Sequence, residues 1–171
     1  MADVTFNTTP GTVVDRFLLI LYLNTGTSSA PAWSAIGKRV EESSMEYDWG
    51  DESKTDIFGD TYTTMKKPTI TQTFDPCELD AGDTAQAKIW NMAVKEQDVA
   101  ALTSQDLLVV HCYAGTKDTA MFAERYSACA IKPSGLGGGA NVGMPIDVTF
   151  GGTRTTGTAA IAAGVVTFTE D

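Results

Sequence analysis

The sequence predicts a mainly β domain in which two antiparallel sheets pack as a sandwich or barrel, flanked by one α-helix and carrying a long inter-strand loop. Residues 146–150 alternate apolar and polar side chains, which is typical of a half-buried strand. Residues 17–23, FLLILYL, form a continuous apolar run and predict a strand buried on both faces. Residues 83–98 carry the single helical pattern, so the helix is expected to cover an open sheet face.

The helix prediction depends on capping and periodicity together. Asp83 is a suitable N-cap residue, and Gln86 follows three positions later. Ile89, Trp90 and Val94 then recur at helical spacing. These signals predict a helix over about residues 83–98.

The remaining elements are short apolar runs separated by turn residues. Residues 1–14 are rich in threonine and predict an extended arm. The threonines of residues 68–74 all fall on one face of a predicted strand. The other predicted elements are strands at 32–37, 107–113 and 121–131, a flexible loop at 133–143, and a C-terminal hairpin of 146–150 with 164–169 across a Gly/Thr-rich turn.

Residues 43–67 form a polar, acidic segment that nevertheless keeps large apolar side chains. A disordered linker should be poor in aromatic residues, so burial against a partner explains this composition better. We therefore expect a long assembly loop that orders when subunits associate. Its candidate contact residues are Tyr47, Asp48, Trp49, Asp51, Ile57, Phe58, Tyr62 and Met65.

The last predicted strand, 164–169, has little of the protection that monomeric proteins give a sheet edge. It contains no lysine or proline, and its acidic residues come only after Thr169. An unprotected edge invites pairing with another subunit. Val165, Val166 and Phe168 are the candidate inter-subunit strand residues.

Length and charge limit the possible functions. The 171 residues are most simply one domain, 1–171, and the formal net charge of −10 disfavours binding to duplex DNA. Cys77, Cys112 and Cys129 form no CxxC pair, which fits a chain that folds with reduced thiols in a cytoplasm. The apolar run at 17–23 is too short to span a bilayer and lacks signal-peptide features, so no membrane partner is expected.

No residue pattern predicts an enzyme, a cofactor or a metal site. His111 is the only histidine, and its neighbour Cys112 should face the opposite side of a strand. Residues 135–140 match G-x-G-x-x-A only superficially, because a strand and not a helix is expected to follow. The acidic residues of 41–60 lack EF-hand spacing. Trp33, Trp49 and Trp90 could form a sugar-stacking platform, but packing explains them without a ligand.

The order of these segments resembles the major tail (tail tube) proteins of long-tailed bacteriophages. The resemblance covers nearly the whole chain and rests on the order of its segments. These are an arm before FLLILYLN, AWSAIG, SSMEYDWGDESKTDIFGDTYTTMKK running into KPTITQTFDPCEL, the helix DTAQAKIWNMAVKE, LLVVHCYAG, a Gly-rich loop, and VGMPIDVTFGG…GVVTFT.

The resemblance implies a structural virion protein of the tail, assembled in the host cytoplasm. Six copies would form a ring, and rings would stack into a hollow tube that delivers genomic DNA without binding it. Implied partners are further copies of the chain, a tape-measure protein, and tail terminator or baseplate proteins. Two alternatives stay open: a β-sandwich adhesin or carbohydrate-binding module, and a tube subunit of a contractile or secretion-type tail.

Overall fold

A computed structural model describes residues 3–171, which form eleven strands and a short helical region. The strands are β1 (Leu19–Asn24), β2 (Trp33–Ile36), β3 (Ser43–Asp48), β4 (Glu52–Thr55), β5 (Thr61–Thr64), β6 (Thr69–Phe74), β7 (Gln105–Thr116), β8 (Ala120–Pro133), β9 (Ile146–Thr149), β10 (Arg154–Ala162) and β11 (Val165–Glu170). Helix α1 (Thr84–Trp90) continues as a π-helical turn (Asn91–Lys95), and α2 (Val99–Leu102) follows. A 3-10 turn (Arg16–Leu18) precedes β1.

Two antiparallel sheets share strand β8. One has the order β2-β1-β7-β8-β10-β11, and the other has the order β8-β9-β6-β3. Residues 121–126 of β8 pair with β10, whereas residues 130–133 pair with β9. Between them Ala128 adopts a positive φ of 56°, a backbone irregularity that redirects the strand from one sheet to the other.

Gly152 allows the chain to pass close to this bend. Its φ is 64°, and a Cβ at this position would overlap the carbonyl oxygen of Ser127. Any other residue would therefore push β9 and β10 away from the point where β8 changes sheets. This close approach of Gly152 to Ser127 allows both β9 and β10 to pair with β8.

The larger hydrophobic core lies between the two sheets and under the helix. Leu23, Leu107 and Ile131 are fully buried here, and Ile89 of α1 packs against them from the helical side. Asp83 caps α1, because its Oδ1 accepts a hydrogen bond from the Gln86 N–H at 2.9 Å. The predicted helix and its cap are confirmed, and so is the fold class of two packed antiparallel sheets flanked by a helix.

A smaller core fills the opposite face of the first sheet. Leu108, Val110 and Met121 are fully buried there, and Val166 of β11 closes over them. This arrangement requires the sheet to curl, and strands β2 and β11 at its two edges approach each other without pairing. Alternating residues of β7 thus serve two different cores, which explains the continuous apolar run of that strand.

Three predicted elements are wrong in detail. Residues 43–67 are not a simple loop, because they contain β3, which pairs with β6, and the separate β4–β5 hairpin. Residues 154–162, expected as a turn, form β10. The C-terminal hairpin therefore joins β10 to β11, while β9 pairs with β6 and β8. Small residues such as Gly157 and Ala159 obscured β10, because they lack the bulk typical of strands.

Candidate assembly surfaces

The β4–β5 hairpin is the most exposed part of the described chain that still has regular structure. Its ladder runs from the pair Glu52 and Thr64 to the pair Thr55 and Thr61, and every residue of both strands is exposed. Hydroxyl pairs such as Ser53 with Thr63, 2.8 Å apart, link the strands across one face. The hairpin has no buried apolar face of its own.

Asp56 fixes the shape of the turn at the hairpin tip. Its Oδ1 accepts hydrogen bonds from the backbone N–H groups of Phe58 and Asp60, at 2.8 and 3.0 Å. The Asp56 N–H also donates to the Asp60 carbonyl at 3.0 Å. This defined turn leaves Ile57 and Phe58 95% and 86% exposed. Two neighbouring apolar side chains are therefore presented to the surroundings on an ordered scaffold.

The base of the hairpin is built differently. Tyr47 and Trp49 stack with ring centroids 6.2 Å apart, and the Lys66 N–H donates to the Trp49 carbonyl at 2.9 Å. Asp48 accepts a hydrogen bond from the Gly50 N–H at 2.9 Å, which shapes the exit from β3. The two rings line a groove with Phe150 of the main body, and we call it the base groove.

A buried polar cluster lies at the wall of the base groove. Glu124 pairs with Arg154 and accepts a hydrogen bond from the Tyr126 hydroxyl at 2.9 Å. His111 Nε2 lies 3.9 Å from the Glu124 carboxylate, and His111 Nδ1 is 2.8 Å from the Tyr113 hydroxyl. Burial by itself raises the pKa of Glu124, but the facing His111, Arg154 and Tyr126 together lower it to about 2.

The predicted contact residues of the 43–67 segment fall into separate groups. The structure brings Tyr47 together with Trp49 at the base, and Ile57 together with Phe58 at the tip. Tyr62 and Met65 are 52% and 69% exposed on the returning side of the hairpin. Asp48 serves the turn after β3, and Asp51 is exposed beside it. Their role in assembly stays a prediction.

The C-terminal strand β11 offers a contact through the backbone groups of its free edge more than through its apolar side chains. Among residues 3–171, β11 pairs with β10 only. Val166 is buried and Phe168 is half-buried against the smaller core, whereas Val165 is 64% exposed. Of the three predicted inter-subunit residues, Val165 alone is largely free for a contact, and the other two stabilise their own subunit.

A second groove was missed by sequence reasoning. The apolar run had placed Phe17 inside a buried strand, but Phe17 lies in the 3-10 turn and is 70% exposed. It borders a groove that also contains Leu19, Ile36 and Val40, with Arg16 at its rim, and we call it the entry groove. Hydropathy could not separate Phe17 from the strand because the apolar run is continuous across the strand boundary.

The other candidate chemistry is dispersed. His111 contacts Tyr113 and Phe122, while Cys112 packs against the smaller core, so the two neighbours face opposite ways as predicted. Trp33 lies under Arg125, Trp49 stacks on Tyr47, and Trp90 packs at the larger core, so the three tryptophans form no common platform.

Residues 3–171 contain neither a cluster of metal-ligand side chains nor a helix able to span a membrane. No three His, Cys, Asp or Glu side chains there are grouped as metal ligands would be. In the same part of the chain, no helix has the length and hydrophobicity needed to cross a bilayer.

Comparison with known proteins found similarity to solved structures only. No family model matches the sequence, and no curated protein matches it either. A chain of the PVC sheath–tube complex of an extracellular contractile injection system, in its extended state, is 10% identical over 86% of this chain and 93% of that one, with a TM-score of 0.49.

Two further structures gave similar values. A chain from the PVC sheath/tube terminator of an extracellular contractile injection system is 12% identical over 86% of this chain and 99% of that one, with a TM-score of 0.47. A chain from the anti-feeding prophage cap, the AFP tube terminating cap, is 13% identical over 90% and 96%, with a TM-score of 0.45. All three TM-scores are below 0.5, so this likeness assigns no function.

Proposed function

We propose that this protein is a tail-tube subunit that forms rings of six copies, stacked head to tail into a hollow conduit for a phage genome. The protein performs no reaction in this role. The observation that carries the proposal is the β4–β5 hairpin, an ordered element whose tip exposes Ile57 and Phe58. A tube subunit of a contractile or secretion-type tail is the alternative within the same class.

The energetics of the hairpin favour a partner. A two-stranded hairpin is only marginally stable in water, and this one buries no face against its own chain. Burying Ile57 and Phe58 would each contribute about 1.5–3 kcal/mol. That gain is large compared with the modest cost of ordering a turn that Asp56 already holds. Association therefore supplies the apolar burial that the hairpin lacks.

The geometry favours an assembly that extends. A hairpin tip that contacts a different surface of the next copy makes a heterologous contact, and such contacts generate rings or filaments. The edges of β2 and β11 offer main-chain groups for pairing within a ring, since neither edge strand has a second partner among residues 3–171. One surface would thus serve stacking and another would serve ring closure.

The net charge supports a conduit that does not retain DNA. A ring of six copies would carry a formal charge of about −60. Carboxylates facing a lumen would repel phosphates within a Debye length of roughly 8 Å at physiological salt. Passing DNA would then meet few attractive sites. Tight, salt-sensitive DNA binding by isolated tubes would contradict this part of the proposal.

The test compares assembly of the wild-type chain with that of Ile57→Ser and Phe58→Ser, by light scattering and negative-stain microscopy. Wild-type protein should form rings and hollow tubes as its concentration rises. Each variant should raise the critical concentration about 10–100-fold, because it removes roughly 1.5–3 kcal/mol of burial per contact. Val99→Ser, at a residue 71% exposed on α2, is the matched control and should assemble normally.

Two results would contradict the proposal. One is a wild-type chain that stays monomeric at high concentration, and such a monomer binding glycans at the base groove would favour the carbohydrate-binding alternative. The other is an equal effect of Val99→Ser and Phe58→Ser on the critical concentration.

In tubes that do form, amide exchange over residues 43–67 should slow relative to the monomer, because the hairpin backbone becomes covered.

A further inference from the structure

The hairpin and the entry groove lie at opposite ends of the same ladder. Strand β3 pairs with β6 from Ser43 with Phe74 to Asp48 with Thr69, and the hairpin leaves from the Asp48 end. Ser43 and Phe74, at the other end, border the entry groove. Six residues of strand separate the two features by roughly 17 Å. A copy displaced along this ladder direction brings its hairpin towards the groove of the next copy.

The entry groove matches the tip in polarity. Its walls are apolar, formed by Leu19, Ile36, Val40 and Phe74, and Phe17 stands 70% exposed at its margin. The tip carries Ile57 and Phe58, the two most exposed large apolar side chains of the hairpin. Covering Phe17 and the tip together would remove three large exposed apolar side chains from water in one contact.

The rim of the groove provides one specific electrostatic partner. Arg16 donates from Nε to the Ser43 carbonyl at 2.9 Å and from Nη1 to the Leu19 carbonyl at 2.6 Å. These bonds hold the guanidinium at the groove and leave Nη2 available for a carboxylate. Asp60 lies two residues after Phe58 and supplies such a carboxylate. The contact thus combines an apolar centre with an ion pair at its edge.

Acidic groups outnumber basic ones at this contact. Asp15, Glu41, Glu42 and Asp83 border the groove, the tip carries Asp56 and Asp60, and the one further basic residue, Lys38, is already paired with Asp80 at 2.9 Å. Like charges repel most strongly at low ionic strength and are screened at separations beyond the Debye length. Salt should therefore favour this contact, although it weakens the single Arg16–Asp60 attraction. A critical concentration that falls as ionic strength rises would therefore identify this contact, because a contact dominated by ion pairs weakens as salt is added.

We propose that the entry groove receives the β4–β5 hairpin tip of a second copy of this chain, with Phe58 and Ile57 against Phe17 and the apolar walls. This inference rests on the proposed stacking function and names its receiving surface. The competing receptor within the chain is the base groove, where Tyr47 and Trp49 stack. Tip-to-base docking would also join two different surfaces, so the position of a cross-link, and not the growth of the assembly, distinguishes the two receptors.

Cross-linking between two single-cysteine additions tests the docking. Ile57→Cys places a thiol at the tip while leaving Phe58 in place, and Asp15→Cys places one at the rim of the entry groove. The two variants are mixed, assembled and treated with a short bismaleimide. The cross-linked dimer should exceed that from either variant alone at least about tenfold. Ile57→Cys mixed with Tyr47→Cys is the matched control for the base groove, and untreated wild-type protein reports the native cysteines.

Each outcome decides one of the two proposals. Tubes with the Ile57–Asp15 cross-link, assembling at lower concentration as ionic strength rises, support the docking. Tubes without that cross-link, or with the Ile57–Tyr47 cross-link in its place, overturn the docking while the tube function stands. Absence of tubes from wild-type protein in microscopy overturns both. An increase of the critical concentration with ionic strength also contradicts the docking, because the contact would then depend on ion pairs.

Discussion

The β7–β8 ladder and the β4–β5 hairpin are both antiparallel pairs, yet only the first is stabilised by its own chain. Leu107, Val109 and Val110 of β7 are fully buried, and they serve two cores on opposite faces of the sheet. Both strands of the hairpin are exposed throughout. Hydrogen bonding between two strands therefore does not by itself show how much a ladder contributes to the stability of the fold. Apolar burial distinguishes the ladder that stabilises the subunit from the ladder that contributes little to its stability.

The largest expected effect comes from the buried ladder. Leu107→Ala should lower the free energy of unfolding by about 2–5 kcal/mol, because Leu107 is fully buried in the larger core and the change leaves a cavity. Denaturant unfolding of the monomer at low concentration measures the loss. A loss below about 1 kcal/mol would show that this ladder does not carry the core and would remove the contrast with the hairpin.

A smaller effect should come from Glu124, at the boundary between the ladder and the hairpin base. Its pKa in the folded protein is about 2, below the ordinary value of 4.5. The folded state therefore binds fewer protons than the unfolded state between these values, so the stabilisation is complete above about pH 4.5 and is lost as the pH falls towards 2. Its size is on the order of 3 kcal/mol.

Acid unfolding of Glu124→Gln checks this contribution. The variant should be less stable near neutral pH and should lose less further stability between pH 4.5 and 2 than the wild type does. Glu46→Gln, at an exposed carboxylate on β3, is the control and should keep the wild-type profile. Identical acid profiles for the wild type and Glu124→Gln would mean that the cluster with Arg154 does not stabilise the fold.

The smallest expected effect on the monomer comes from the hairpin tip. Phe58→Ala should change the free energy of unfolding by less than about 0.5 kcal/mol, because Phe58 is 86% exposed and no core loses volume. The same denaturant measurement as for Leu107→Ala gives a direct comparison. A loss comparable with that of Leu107→Ala would show that the tip packs on its own subunit, and the proposed stacking role would then fail.

Sequence reasoning reached the elements whose signals are local. The N-cap at Asp83 and the alternation of residues 69–74 both describe neighbouring residues, and both are present as predicted. Strand β10 was missed because Thr155, Gly157 and Ala159 carry little hydrophobic signal. The small side chain of Gly157 becomes meaningful only when β11 lies beside it, since a Cβ there would overlap the Thr169 carbonyl oxygen.

The candidate surfaces likewise have features that the sequence predicts and features that it does not. Composition alone singled out residues 43–67 as a polar segment with unexplained aromatic residues, and it also gave the acidic charge. It did not show that Ile57 and Phe58 occupy a fixed turn, or that Val166 and Phe168 face the subunit's own smaller core. The curl of the sheet is set by contacts between residues far apart in the chain, whereas the turn depends on local hydrogen bonds of Asp56 that composition alone does not specify.

The sequence by itself determined the mainly β class, the single capped helix and the acidic character of this protein, because each follows from side-chain type and short-range periodicity. The tertiary structure decided that β8 is shared by two sheets, that Phe17 borders a groove, and that the groove and the hairpin lie at opposite ends of one ladder. Strand pairing joins residues far apart in the chain, and no local pattern specifies which edges meet or which apolar side chains remain uncovered.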